Sequence, residues 1–166
     1  MTADVRIRPM TADDWPAAAE VYREGILTGD ATFSTDVPSW EAWDRGHLAS
    51  CRLVAVDGGE LLGWTALSPV SDRCVYGGVA ELAVYVAARA RGRGVGRALL
   101  DALVAASEAA GIWSLQSGIF PENVGSVKLH EQAGFRLVGR RERLGQMGGR
   151  WRDVLIFERR SPVVGT

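Results

Sequence analysis

Residues 91–96 are Arg91-Gly92-Arg93-Gly94-Val95-Gly96, between an apolar segment typical of a strand, 81–86, and an amphipathic segment typical of a helix, 97–110. Alternating glycines leave the backbone open to a ligand, and the first turn of a helix presents N–H groups that lack intrahelical partners. Such a turn is well suited to bind an anion. The run therefore predicts a phosphate-binding loop, although a structural corner is the alternative on these residues alone.

Two common phosphate-binding loops do not fit this run. A dinucleotide-binding fingerprint would need a glycine where Arg97 stands, and an acidic residue about twenty positions further on, whereas 111–114 contains none. A mononucleotide P-loop would end in Gly-Lys-Ser or Gly-Lys-Thr, and the run has no lysine. The sequence therefore argues against both classes of nucleotide and leaves another phosphate-bearing ligand to be found.

The composition indicates which kinds of partner the protein is not expected to bind. The 166 residues are 47% hydrophobic and 23% charged, with a net charge of −1, so the whole chain has no electrostatic attraction to nucleic acid or an anionic membrane. The two cysteines, Cys51 and Cys74, form no Cys-x-x-Cys pair, and no His/Cys spacing suggests a metal. Neither a leader nor a membrane span is visible. We expect a cytoplasmic protein without nucleic-acid, membrane or metal partners.

Hydrophobic patterning predicts one α/β domain over 1–166, in the order β-α-α-β-β-β-α-β-α-β-β. Strands outnumber helices, so a regular alternation of βα units is not expected. The predicted strands are 5–8, 51–57, 61–68, 79–86, 112–119, 135–143 and 151–159, with a loop over 145–150; the predicted helices are 15–25, 39–49, 97–110 and 124–133.

Two sequence blocks resemble the GNAT N-acetyltransferase superfamily. The first is Arg-x-x-Gly-x-Gly, after a strand with an acidic residue and before an amphipathic helix. The second consists of Asn123, Ser126, Leu129, His130, Glu131, Gly134 and Phe135. The resemblance implies a mixed, mostly antiparallel twisted sheet of six to seven strands, flanked by about four helices.

Further motifs resemble the phosphinothricin, methionine sulfone and methionine sulfoximine acetyltransferases. These motifs are Glu81-x-x-Val84-Tyr85-Val86, 126–131, Trp151-x-Asp153-Val154, Phe33 and Arg73-x-x-Tyr76. One departure is Met147, which stands where that branch usually has a lysine. The resemblance implies direct acetyl transfer in a ternary complex, from acetyl-CoA to the α-amino group of a small amino-acid-like substrate, by a protein that we expect to form a homodimer. Transfer to a protein or peptide, and a non-catalytic acyl-CoA-binding module, are the alternatives.

The resemblance also implies which residues hold acetyl-CoA. The strand 82–86 would splay from its neighbour and pair with the pantetheine amides as an added strand would. The glycine run and the following helix would hold the pyrophosphate, and a backbone N–H near Val84 would face the thioester oxygen. The implied set is Val84, Tyr85, Val86, Arg91, Gly92, Arg93, Gly94, Val95, Gly96, Arg97, Asn123 and Ser126.

Two side chains are candidates for acid–base chemistry. Acetyl transfer to an amine needs a base for the ammonium proton and an acid for the leaving thiolate. The resemblance assigns the base to Glu81, whose alternative role is a surface acid or an arginine's partner. It assigns the acid to His130, because histidine changes charge near neutral pH. The alternative is a helix histidine that holds a backbone carbonyl.

Three residues are candidates for acceptor binding. The resemblance implies that Arg73 binds the acidic end of the acceptor through a two-pronged hydrogen bond and that Phe33 covers its side chain, with Tyr76 beside them. Ordinary loop packing or solvation is the alternative for each.

Overall fold

The computed structural model describes residues 4–166. Its strands are β1 (Arg6–Pro9), β2 (Leu53–Asp57), β3 (Glu60–Pro69), β4 (Val79–Val86), β5 (Ser114–Ile119), β6 (Arg136–Met147) and β7 (Arg150–Arg160). Its α-helices are α1 (Trp15–Thr28), α2 (Trp40–Gly46), α3 (Val95–Ala109) and α4 (Val124–Gln132). The strands form one seven-stranded sheet in the order β1-β2-β3-β4-β5-β7-β6. The fold expected from the sequence is confirmed.

One pair of neighbouring strands is parallel, and it is the pair that opens. All other adjacent strands run antiparallel. β4 and β5 pair only from Val79 and Ser114 to Glu81 and Gln116. β4 continues to Val86 while pairing with β3. Because β5 no longer covers this side of β4, the backbone groups of β4 that point toward β5 are free beyond Glu81.

α3 belongs to both hydrophobic clusters of the core. Val95 and Leu99 pack in one cluster with Trp43 and Trp64. Leu100 and Leu103 pack in the other, which contains Leu115, Phe135 and Phe157. A helix anchored on two sides has little freedom to shift, so its first turn holds a fixed position relative to β4.

Several predicted boundaries differ from the structure for identifiable reasons. α1 runs past Gly25 to Thr28, because its left-handed C-cap is Gly29, with a φ of 75°. Gly25 lies within the helix and allows close contact with Tyr85, since a Cβ there would lie 2.8 Å from the Tyr85 ring. α3 begins at Val95, two residues before the predicted start, so the end of the glycine run lies in its first turn.

The predicted loop over 145–150 is the other difference. β6 and β7 continue through it, and only Gly148 and Gly149 separate them, both with positive φ. The β6 segment is largely exposed and lacks the apolar alternation by which strands are recognised.

Candidate active site

The glycine run forms a tight turn that leads into α3. Gly92 and Gly94 have φ values of 76° and 77°, a conformation in which an L side chain is strained. Gly96 has a different role: a Cβ there would lie 3.0 Å from Leu129 Cδ2, so the glycine lets α3 approach α4. Gly94 is the N-cap residue and contributes no side-chain cap, so the first N–H groups of α3 stay available to a ligand.

The arginines around this turn have different surroundings. Arg93 forms an ion pair with Asp57 at 2.9 Å, and Arg97 bonds to Asp101 at 2.9 Å. Arg91 and Arg97 line a groove beside the turn, whereas Arg93 does not. The structure therefore directs Arg91 and Arg97 toward the groove and Arg93 toward β2.

This groove, which we call the glycine-loop groove, has a volume of about 820 Å³. One wall is Val84, Tyr85 and Val86 of β4, and another is the first turn of α4. Asn123 caps α4 by accepting a hydrogen bond from Ser126 N–H at 3.2 Å, and both residues line the groove. Lys128 adds a cation that sequence reasoning did not single out. Apart from Arg93, all the residues predicted to bind the cosubstrate line this groove.

We expect Gly94→Ala to weaken binding in the glycine-loop groove. An alanine at positive φ is strained by roughly 1–2 kcal/mol, so fewer molecules keep the turn in its binding conformation. The Kd for acetyl-CoA, measured by calorimetry, should rise about tenfold, since about 1.4 kcal/mol corresponds to tenfold. Gly46→Ala is the control, because Gly46 ends α2 with open space around it. Equal affinity in the two variants would contradict this account of the turn.

A second cavity, the Glu81 cavity, has a volume of about 710 Å³ and lies where β4 and β5 separate. Val84, Tyr85, Asn123 and Ser126 line both this cavity and the glycine-loop groove. A ligand extended along the groove can therefore reach Glu81. The arrangement provides one long binding site with a carboxylate at its inner end.

Glu81 sits on the last paired rung between β4 and β5. Its side chain is open to the cavity, yet the surrounding walls desolvate it and raise its pKa, while a hydrogen bond from Gln116 opposes the shift. A carboxylate with a raised pKa is a stronger base than an ordinary surface glutamate. The position and the pKa together suit a proton acceptor.

His130 is 1% exposed and lines the Glu81 cavity. Its Nδ1 lies 2.8 Å from the Ser126 carbonyl oxygen, to which the Nδ1–H donates, while Nε2 is buried without a partner. Burial lowers the pKa of the imidazole, so the ring is neutral at pH 7. The Nδ1 contact matches the carbonyl-holding alternative, and with the proton on Nδ1 the neutral ring carries none on Nε2. The role of His130 as the acid stays a prediction.

We therefore expect His130→Asn to retain most of the turnover. The asparagine amide can donate to the Ser126 carbonyl from nearly the position of Nδ1. The value of kcat should stay within about tenfold of the unmodified protein, whereas loss of a general acid removes roughly 100-fold or more. His130→Phe, which keeps a ring but loses the bond, should be the more damaging variant. If both variants lose 100-fold and the basic limb of the pH–rate profile changes, His130 is the acid.

The three predicted acceptor residues are not all brought together. Phe33 lines the Glu81 cavity and packs edge-on against Phe120, with ring centroids 4.8 Å apart. Arg73 and Tyr76 are exposed in the segment before β4 and stack on one another, with 5.6 Å between the Arg73 Cζ and the Tyr76 ring centroid. Neither of them lines the cavity in this chain.

A buried arginine connects the walls of the two cavities. Arg152 is 5% exposed and bonds to the Gly29 carbonyl at 2.8 Å, to Asp30 at 2.9 Å and to Glu122 at 3.4 Å. Its Cζ lies 4.0 Å from the Phe120 ring centroid. Asp30 and Glu122 line the glycine-loop groove, and Phe120 lines the Glu81 cavity.

Met147 also contacts Arg152. The Arg152 Nη1 lies 3.4 Å from the Met147 Sδ. A lysine at position 147 would bring an ammonium group close to the guanidinium, and like charges repel. The apolar thioether of Met147 is therefore compatible with the buried Arg152.

A family model described as the acetyltransferase (GNAT) family matches residues 12–135, which include the glycine run, Glu81 and His130. The chain belongs to the GNAT family. GNAT proteins are acetyltransferases, so this protein is an acyltransferase.

The chain is similar to several named acetyltransferases over most of its length. The chain is 34% identical to the phosphinothricin N-acetyltransferase of Streptomyces coelicolor, covering 95% of this chain and 97% of the other. It is 30% identical to the L-methionine sulfoximine/L-methionine sulfone acetyltransferase of Pseudomonas aeruginosa, with 92% of each covered. A crystal structure of a GNAT phosphinothricin acetyltransferase from Sinorhizobium meliloti in complex with acetyl-CoA superposes with a TM-score of 0.86, at 32% identity over 99% of this chain and 91% of that one.

Two further observations concern the described part of the chain. Within residues 4–166, no helix is long and apolar enough to cross a membrane. Over the same residues, no cluster of three or more His, Cys, Asp and Glu side chains could hold a metal ion.

Sequence reasoning missed several residues of the site. Gln116 is the cross-strand partner of Glu81, Gly118 and Arg141 line the cavity, and Arg152 contacts residues of both walls. Glu81 and Gln116 are far apart in the sequence, so no local pattern predicts that they are neighbours on β4 and β5. Arg141 and Arg152 belong to an arginine-rich hairpin in which nothing distinguishes a buried cation from an exposed one.

Proposed function

We propose that this GNAT enzyme transfers the acetyl group of acetyl-CoA directly to the α-amino group of a small amino-acid-like acceptor in a ternary complex. Phosphinothricin, methionine sulfone and methionine sulfoximine are the acceptors we put first. The supporting observation is the Glu81 cavity, which joins the glycine-loop groove and presents one carboxylate of raised pKa.

The groove fits acetyl-CoA by its own chemistry. Left-handed glycines and uncapped N–H groups of α3 suit a pyrophosphate, and Arg91 and Lys128 add positive charge. The free edge of β4 between Glu81 and Val86 can pair with an extended amide chain. A backbone N–H near Val84 would then stabilise the oxyanion that develops on the thioester carbonyl.

In this proposal Glu81 accepts a proton from the acceptor's ammonium group, directly or through water. The freed amine attacks the thioester carbonyl and forms a tetrahedral intermediate. As the C–S bond breaks, the second proton of the amine nitrogen passes to the coenzyme A thiolate, directly or through water, and the N-acetyl product is left. His130 holds the first turns of α4 through the Ser126 carbonyl. Phe33 covers the acceptor side chain. A role for Arg73 and Tyr76 stays a prediction, since both lie outside the cavity of this chain.

The shape of the cavity favours a small acceptor over a protein N-terminus. A peptide would need an open groove beside the thioester, with the Phe33 loop standing away. Instead, Phe33 packs against Phe120, and a Cβ on Gly145 would lie 2.9 Å from the Phe33 ring. The loop is therefore held over the cavity on two sides.

An acceptor panel tests the proposal. Thiol release from acetyl-CoA should be fastest with methionine sulfone, methionine sulfoximine or phosphinothricin, and slow with peptides and polyamines. Faster acetylation of peptides would favour the protein N-acetyltransferase reading. Tight binding of acetyl-CoA without thiol release across the panel would favour a non-catalytic module.

The proposal includes a homodimer in the cytoplasm. Leu137, Val138 and Trp151 are exposed apolar side chains on the last two strands, with β6 at the edge of the sheet. Exposed apolar side chains on this edge hairpin are available to pack against a second copy of the chain. Light scattering should give twice the chain mass; the mass of a single chain would contradict the dimer.

A further inference from the structure

Two side chains charged at neutral pH line the Glu81 cavity: Glu81 and Arg141. His130 also lines it, but burial lowers the pKa of that imidazole and leaves it neutral. A ligand of this cavity therefore meets one negative and one positive group. An α-amino acid carries the matching pair of charges, whereas a simple amine carries only one.

Glu81 and Arg141 lie on the same side of the sheet, at the ends of a row that crosses four strands. A Cβ on Gly118 of β5 would lie 3.9 Å from Glu81 Oε1 and 3.1 Å from Val154 Cγ1 of β7. Val154 is the cross-strand partner of Arg141 on β6, and directly opposed residues share a face. Glycine at 118 leaves space above the middle of the row, between Glu81 and Arg141.

A bulge in β6 is responsible for the position of Arg141. Between the pairs Arg141–Val154 and Gly145–Arg152, the chain advances four residues on β6 but two on β7. Arg141 and Leu144 therefore both line the cavity, although residues three apart on a regular strand face opposite sides. Arg143, inside the bulge, has a φ of 48°.

Asp153 holds this bulge in place. Its carboxylate accepts hydrogen bonds from the Arg143 backbone N–H at 2.8 Å and from Arg140 Nε at 2.8 Å. Arg140 is thus neutralised by Asp153, whereas within residues 4–166 no carboxylate forms an ion pair with Arg141. Arg141 is therefore available to bind an anion that enters the cavity.

We propose that Arg141 binds the α-carboxylate of the acceptor, and that the bulge held by Asp153 aims it there. This inference rests on the proposed function, because it takes the acceptor's amino group to lie at Glu81. The guanidinium can grip a carboxylate with two parallel N–H bonds, which fixes orientation as well as charge. Arg141 is then the residue that selects amino acids over neutral amines.

The test compares methionine sulfone with its carboxamide, which keeps the amine and the sulfone but lacks the carboxylate charge. We expect Arg141→Met to raise the KM for methionine sulfone roughly 10- to 100-fold, the range for hydrogen bonds to charged groups, with a smaller change in kcat. The KM for the carboxamide should change by less than about threefold, since a contact to an uncharged group contributes little. Arg150→Met is the matched control, because Arg150 is exposed on β7 and does not line the cavity.

A second variant tests the bulge. Asp153→Ala should reduce the discrimination between methionine sulfone and its carboxamide in the same direction as Arg141→Met, because the bulge no longer holds Arg141 in position.

If Arg141→Met raises the KM for the acid and the amide equally, the proposal is wrong. A loss confined to phosphinothricin would also overturn it, because Arg141 would then bind the side-chain phosphinate. If the unmodified protein acetylates none of these amines, the proposed function fails first, and the two failures are therefore distinguishable.

Discussion

Glu81→Gln is expected to reduce kcat by roughly 100- to 1,000-fold while leaving acetyl-CoA binding unchanged. General bases contribute about this much to proton-transfer steps. Glutamine keeps the size of the side chain but cannot take a proton from the ammonium. Glu81 lies in the cavity beyond the glycine-loop groove, so the Kd for acetyl-CoA should not change. Steady-state thiol release and calorimetry measure the two quantities separately.

Glu60→Gln is the matched control, since Glu60 forms an exposed ion pair with Arg89 away from both cavities. Its kcat should equal that of the unmodified protein. Unchanged turnover of Glu81→Gln at saturating acceptor would remove Glu81 from the mechanism.

The raised pKa of Glu81 determines how turnover and stability change with pH. Its folded-state pKa lies above the ordinary value, so the base is protonated and turnover is lost as the pH falls through that raised pKa. The acidic limb of kcat should therefore lie above the usual range of a glutamate and should disappear in Glu81→Gln. The same shift makes the folded protein lose stability as the pH rises from the unfolded to the folded pKa. Glu81→Gln should consequently be neutral or stabilising at pH 7 in thermal unfolding.

Arg152→Met is expected to lower the free energy of unfolding by roughly 2–3 kcal/mol, the largest stability effect among these variants. The substitution removes hydrogen bonds to Gly29, Asp30 and Glu122, together with the contact between the guanidinium and Phe120. Asp30 and Glu122 are about half exposed, with side chains 46% and 50% accessible, so water can solvate them afterwards. That solvation keeps the loss below the full penalty of a stranded buried charge.

The same variant should also affect the site, because Phe120 supports Phe33. We expect the Tm to fall by roughly 4–12 °C for a chain of this size, and the KM for the acceptor to rise. Arg150→Met is the control, since Arg150 is an exposed arginine on the same strand. If Arg152→Met and Arg150→Met have equal Tm values, the buried contacts do not contribute as described.

The strand, glycine turn and helix around residues 91–96 could be predicted from sequence because each of their features is local. Positive φ at Gly94, the amphipathic face of α3 and the alternation of β4 act over a few residues. The predicted start of α3 was two residues too late, because Val95 and Gly96 fit a turn and a helix equally well.

The rest depends on contacts that have no local signature. Arg152 contacts Gly29 and Asp30, which lie 123 and 122 residues earlier in the sequence, and no spacing rule predicts these contacts. Gly25 looks like a helix end but is a contact point for Tyr85. The bulge that aims Arg141 depends on Asp153 of the next strand. Apart from Arg93, the residues predicted for acetyl-CoA lie together along the glycine-loop groove, whereas only Phe33 of the three predicted acceptor residues lines the Glu81 cavity.

The most direct test of the central claim is acetylation of methionine sulfone by the unmodified protein and by Glu81→Gln, at saturating acetyl-CoA. Thiol release gives the rate, and mass spectrometry identifies the product. The account predicts N-acetyl methionine sulfone from the unmodified protein and at least about 100-fold slower formation by the variant. Formation of the same product at equal rates by both proteins would contradict it.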